Sequence, residues 1–229
     1  QPGKTTNTMV VYDPADKNID GIPMCNGTHH LMFNVDQKNL YLSGGSDRVV
    51  SWIDTKVWDE THDPQKSMGW CPMVLDTNAT KTTGADSEDE VTVTPDRTQW
   101  NAPPSSGGVG MGEEGGSGRM AAAGPIDPKK DTRIEGFLYG VDANIHDGSM
   151  WFQKIRPFPS GAVRFHPGSN PPETCKTKYF EPPKQADGNY AAFLGRGISV
   201  DSKGVAWVSF ASGQFGRFDR SKCKVLSGP

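Results

Sequence analysis

The chain has 229 residues, enough for one sizeable core or two small ones, and 27 glycines with 18 prolines favour many turns over long helices. It has no apolar run of about 18 residues, which excludes a membrane-spanning helix. The net charge of −3 divides into −9 over residues 1–128 (9 basic, 18 acidic) and +6 over residues 129–229 (15 basic, 9 acidic). The basic residues are scattered rather than gathered in an aromatic-rich stripe, which argues against nucleic-acid binding.

In chain order, Met9-Val10-Val11-Tyr12-Asp13-Pro14 reads as the third strand of a unit whose beginning is missing. A unit follows at residues 29–36, with strands His29 to Asp36, Leu40 to Ser43 and Val49 to Asp54, and an expected outer strand at Met73-Val74-Leu75. Asp54-Thr55 offers an N-cap for a single helical turn within Thr55 to Gln65. A second unit runs through Phe137 to Asp142, a turn at His146-Asp147-Gly148, Met150-Trp151-Phe152, Ala162 to Phe165 and Thr177 to Phe180. A third runs through Gly197 to Asp201, a turn at Ser202-Lys203-Gly204, Ala206 to Ser209, Phe215 to Asp219 and Lys224-Val225-Leu226. Each run is short, rich in β-branched and aromatic residues and bounded by turn formers, so neighbours should pair as antiparallel hairpins. Tyr41, Trp151 and Trp207 recur on the second strands, where an aromatic would fill the space between sheets. Repeated four-strand sheets predict an all-β fold of the β-propeller type, with helix under about 20 percent.

Three clear units and a partial one fall short of a closed ring, so a partner chain or further units are expected to complete it. The chain divides into residues 1–76 (a partial and a first clear unit), 77–134 (an acidic and Gly/Pro-rich excursion or linker) and 135–229 (two further units). The excursion holds almost no large apolar residue and cannot offset its ordering entropy by burial. Its glycines lack the spacing of a phosphate loop.

These units resemble the streptogramin (virginiamycin B) lyase-like propeller family. The residues that carry the resemblance are HHLMFNVDQKNLYLSGG, DGSMWFQ and RGISVDSKGVAWVSFASGQFGRFDRSKCK, with GWCPMVLDTN, PIDPKKDTRI and GSNPPETCKTKYFEPP similar to uncharacterised secreted members. The resemblance implies a propeller in an extracytoplasmic setting, and Gln1 in place of an initiator methionine fits a processed product. It also implies an enzyme that opens a cyclic ester by elimination with Mg2+ and a histidine base. The family's inner-strand histidine is matched at His29-His30, against Tyr139-Gly140 and Arg196-Gly197 in the other units. Its glutamate after the second strand is not matched, since those strands end Leu42-Ser43-Gly44, Phe152-Gln153-Lys154 and Val208-Ser209-Phe210. Mg2+ favours carboxylate oxygens, so the expectation is a binding or assembly module, with a metal-assisted lyase as the alternative.

The candidate catalytic residues are His29 and His30. Being adjacent, they should point to opposite faces of a strand, leaving one for a shared site. The candidate ligand-binding residues are Tyr139, which stacks and donates, and Arg196, which clamps anions; together with a histidine they suit an anionic or hydroxyl-rich small ligand. The competing expectation is that Arg196 pairs with a local aspartate. Asp76, Asn78, Asp86 and Glu88 form an oxygen-rich stretch that would take Ca2+, although Lys81 stands where a calcium loop has glycine. His62, His146 and His166 read as loop residues, and no spacing makes them converge. Cys25, Cys71, Cys175 and Cys223 contain no CxxC pair and allow three full disulfide pairings. Asn26 and Asn78 stand in glycosylation sequons.

Overall fold

The computed structural model describes residues 7–24, 27–43, 49–77, 100–101, 127–134, 136–156 and 158–224. Strands make up 51% and helices 9% of what is described, an all-β chain with helix well below the expected ceiling. The partial unit at the start is a ribbon of β1 (Asn7–Asp13) and β2 (Asn18–Met24), with Met9 opposite Ile22 and Tyr12 opposite Ile19.

A first four-stranded antiparallel sheet follows, in the order β3 (His30–Phe33), β4 (Asn39–Ser43), β5 (Val49–Asp54) and β6 (Met68–Pro72). Its fourth strand is therefore Met68–Pro72 and not Met73 to Leu75. Two short helices carry the chain round to it, α1 (Thr55–Thr61) and α2 (Pro64–Ser67), where one turn was expected. Both have a side-chain cap. Asp54 accepts from the Val57 amide at 3.1 Å, and Asp63 accepts from the Gln65 amide at 2.9 Å, with Pro64 opening the second helix. Val74–Leu75 forms β7 of a small separate sheet, antiparallel to β9 (Asp131–Arg133), which also pairs in parallel with β8 (Trp100–Asn101).

The second large sheet runs β10 (Phe137–Ala143), β11 (Met150–Arg156), β12 (Gly161–His166) and β13 (Lys176–Phe180). The third runs β14 (Gly195–Val200), β15 (Ala206–Phe210) and β16 (Phe215–Phe218), then a 3-10 turn at Arg220–Lys222. Of the outer strand expected at Lys224-Val225-Leu226, Lys224 forms a bend, and Val225 and Leu226 lie outside the described residues.

Strand alternation sorts the apolar side chains into three cores, each between sheets consecutive in the chain. On β4, Leu40 and Leu42 turn back to the ribbon and join Met9, Ile22, Met24, Ile53 and Trp58. Tyr41 turns forward and packs with Trp52, Met150, Phe152, Val163 and Phe165 between the first and second sheets. On β11 the same alternation sends Trp151 forward, against Ile198, Ala206 and Val208 of the third sheet. Tyr41 and Trp151 are each 1% exposed. Truncating an aromatic buried to this degree costs about 3–5 kcal/mol. A disulfide joins Cys71 near the end of β6 to Cys175 before β13 across the core between the first and second sheets, with 6.0 Å between their Cα atoms.

Polar contacts also link β10 to the sheets on either side. The Ser43 hydroxyl donates to the Tyr139 carbonyl. Asp142 Oδ2 on β10 accepts from Ser199 Oγ and the Val200 amide on β14, both at 2.8 Å. Gly140 makes this approach possible, because a Cβ there would stand 2.7 Å from the Arg196 carbonyl oxygen and the Ile198 nitrogen.

Candidate functional site

The hairpin turn after each inner strand fixes the register of the repeat. Asn34, Asn144 and Asp201 each open it, donating their backbone N–H to the carbonyls of Asn39, Ser149 and Val205. Gln37, Gly148 and Gly204 take the left-handed position inside it. Counting back from the three openers, the fifth preceding residues are His29, Tyr139 and Arg196. Three different side chains thus occupy one equivalent position at the start of successive inner strands.

The structure brings all three together, with His30 beside them. The His29 and Tyr139 rings lie 4.4 Å apart between centroids, His30 and Tyr139 4.6 Å, and His29 and His30 4.7 Å. The Arg196 guanidinium stands over the Tyr139 ring at 5.3 Å, a cation–π contact. Both histidines therefore reach Tyr139, whereas adjacency on a strand left room for one. His29 precedes β3, so it escapes the alternation that its neighbour obeys. Its backbone N–H is still held, donating to the Ser43 carbonyl at 2.6 Å.

Arg196 forms no ion pair among the described residues, so the expected aspartate partner is replaced by an aromatic face. Alternation alone did not single out two further members. Phe137, at the start of β10, lies 6.3 Å from Tyr139 and 6.5 Å from His29. Arg156, at the end of β11, stands 6.0 Å over Phe137. The pairing of Phe137 with Arg156 across the β10–β11 hairpin places them side by side, and that register depends on a bulge the sequence does not announce.

Burial and the neighbouring His29 charge hold the His30 imidazole below its ordinary value. Its Nε2 is buried and has no hydrogen-bond partner. In this setting the neutral ring is the comfortable form. Arg196, Arg156 and His29 lie exposed at the surface, and His30, Phe137 and Tyr139 are half-buried. The arrangement is a rigid aromatic group fringed by cations. It offers stacking, hydrogen-bond donation and positive charge.

The remaining candidates among the described residues do not join it. Asp76 is placed just after β7, while Asn78, Asp86 and Glu88 lie outside the described residues. Among the described residues, no three His, Cys, Asp or Glu side chains group as metal ligands. His146 Nε2 meets the Ser202 carbonyl at 2.8 Å and ties adjacent turns together. His166 lies 3.4 Å from an Arg164 nitrogen, and His62 closes α1 in a left-handed conformation, 3.7 Å from Asp20. Cys25 and Asn26 fall outside the described residues, and Cys223 is a free thiol.

Comparison with family models, with curated proteins and with solved structures yields no match to this chain.

Proposed function

We propose that this chain is a propeller-type binding module of an extracytoplasmic protein, holding an anionic or hydroxyl-rich small ligand at the start of its inner strands. One observation carries the reading. Equivalent positions of three successive inner strands bear His29, Tyr139 and Arg196, and the first and last of these both contact the Tyr139 ring. A repeat fold presents such positions toward its axis, where ligands commonly gather. The consecutive packing of four-stranded meanders supports the propeller, as does the resemblance to the streptogramin lyase-like family. The Cys71–Cys175 disulfide supports an oxidising compartment.

A metal-assisted lyase is the second reading, and the paired histidines beside Tyr139 favour it. The two readings separate in one set of measurements. Calorimetric titration with neutral and acidic oligosaccharides should give saturable binding to at least one of them. Tyr139→Ala should weaken that binding about tenfold or more, the loss of roughly 1.4 kcal/mol of contact. Linearisation of a cyclic ester that requires Mg2+ and disappears in both His29→Ala and His30→Ala would replace the binding module with the lyase.

A further inference from the structure

Resting on that reading, we infer that the cluster selects an acidic oligosaccharide, a sugar chain bearing carboxylate or sulfate groups, and binds it more tightly as the pH falls.

The selection for anions follows from an inventory of donors. Arg196 and Arg156 each carry five N–H donors and no acceptor. Among the described residues, neither makes an ion pair or hydrogen bond, and each rests on an aromatic ring alone. Around them stand the Tyr139 hydroxyl and the ring nitrogens of His29 and His30, again with no described carboxylate in contact. Donors this numerous are matched by oxyanions, and a guanidinium meets a carboxylate or sulfate through two parallel hydrogen bonds.

The preference for a chain follows from the number of donors. The two guanidiniums sit on different rings, Arg156 on Phe137 and Arg196 on Tyr139. A single small anion has too few oxygens to match the donors of both. A ligand with charges repeated along a hydroxyl-bearing backbone matches them, with its sugar faces against the aromatic rings.

The pH dependence follows from the histidine pair. The groups that face it are Tyr139 and Phe137 from β10, with Arg196 from β14 and Arg156 from β11 behind those rings. Burial first, and the neighbouring His29 second, hold His30 toward its neutral form in the free protein. An anion on the cluster reverses the balance and favours the imidazolium. Binding then takes up a proton. Affinity climbs as pH falls through the value in the complex and levels off below the lowered value of the free protein.

The test uses the intact chain and four probes at pH 7.5 and 5.5: oligogalacturonate, dextran sulfate oligomers, neutral dextran oligomers and poly-glutamate. Oligogalacturonate, dextran sulfate or both should bind, about tenfold more tightly at pH 5.5, the change expected for one site whose pKa moves by a unit. Which of the two binds identifies the charged group. Arg196→Gln and Arg156→Gln should each weaken binding about tenfold, and His30→Asn should flatten the pH dependence. A circular dichroism spectrum unchanged from wild type certifies each variant. Equal affinity at the two pH values, or poly-glutamate bound as tightly as the acidic sugars, overturns the inference. Neutral dextran binding that is lost in Tyr139→Ala but indifferent to Arg196→Gln also overturns it, and leaves the binding module standing. If no probe binds, both fall.

Discussion

At the scale of single residues, the strongest polar commitment lies away from the cluster, at Arg164. Its side chain is 4% exposed on β12, and its guanidinium donates to Asp147 Oδ2 at 2.9 Å and, through Nε, to Ser149 Oγ at 3.2 Å. Ser149 Oγ in turn donates to Asp147 Oδ1 at 2.6 Å and accepts from Trp151 Nε1 at 3.1 Å. Burial pushes the Asp147 carboxyl up. The Ser149 hydroxyl and amide together with Arg164 outweigh it, and the net position is below the ordinary carboxylate value. The Asp147 side chain remains one-third exposed, so solvent screens part of the pair. Breaking a fully buried pair costs about 3–5 kcal/mol. Asp147→Asn should fall below that range, at about 2 kcal/mol by urea denaturation at pH 7. The contribution of a depressed carboxylate is complete above its unfolded value, about 3.9, and is lost as pH falls through the folded value. The gap between wild type and Asp147→Asn should therefore shrink below pH 4. A gap that stays constant from pH 7 to pH 3 would show that packing, not charge, makes the difference.

At the scale of elements, the first strands of the sheets work as a set because of what stands beside the proposed ligand positions. Gly140 and Gly197 follow Tyr139 and Arg196, where the first unit has His30. An added Cβ at Gly140 meets backbone of β14, which has no freedom to yield, whereas at Gly197 it meets only the Ser209 hydroxyl at 3.1 Å. Overpacking of the first kind costs about 1–3 kcal/mol. Gly140→Ala should lower the melting temperature and spread Tyr139 from Arg196, weakening ligand binding, while Gly197→Ala should do less of both. Equal or greater damage from Gly197→Ala would mean that the β10–β14 approach is not what positions the pair. These strands were legible in the sequence because alternation, aromatic placement and Gly/Asp turns repeat at each unit. That repetition also placed His29, Tyr139 and Arg196 at one position. Other features carry no periodic mark. The fourth strand of the first sheet lies behind a second capped helix, so its start at Met68 depends on Asp63 and Pro64 acting as a stop and restart. Arg156 meets Phe137 only through a bulged register. Arg164 reads as one more alternating position, and nothing local distinguishes a polar residue sealed between sheets from one facing water.

At the scale of the whole molecule, a ribbon and three large sheets pack in chain order, and among the described residues no element packs on the two outermost faces. Val10, Tyr12 and Ile19 are exposed on the outer side of the ribbon. At the other end, Trp207 faces forward as Tyr41 and Trp151 do, its ring lies against Phe215 and Arg217 of its own sheet, its Nε1 donates to Asp201 Oδ2 at 2.9 Å, and Phe215 is 68% exposed. The interior boundaries are also unequal. That between the second and third sheets relies on packing, on the Asp142 bonds and on the Gly140 approach. That between the first and second adds a covalent bond, Cys71 to Cys175, which closes a loop with a sequence separation of 104. A closure of that length removes denatured-state entropy equivalent to about 4–5 kcal/mol. The same boundary is the one that His29 crosses to reach Tyr139, whereas the Arg196–Tyr139 contact crosses the other. Replacing both cysteines, Cys71→Ser with Cys175→Ser, should therefore lower the urea midpoint, with a steeper slope as the released denatured chain expands. In the surviving folded fraction it should loosen the histidines from Tyr139 while leaving Arg196 on the ring. The expected signature is a loss of the pH dependence of ligand affinity greater than the loss of affinity at pH 7.5, where the histidines contribute least. An unchanged urea midpoint would show that the first two sheets are held by their apolar core alone, and an undiminished pH dependence would show that the histidines keep their place without the disulfide.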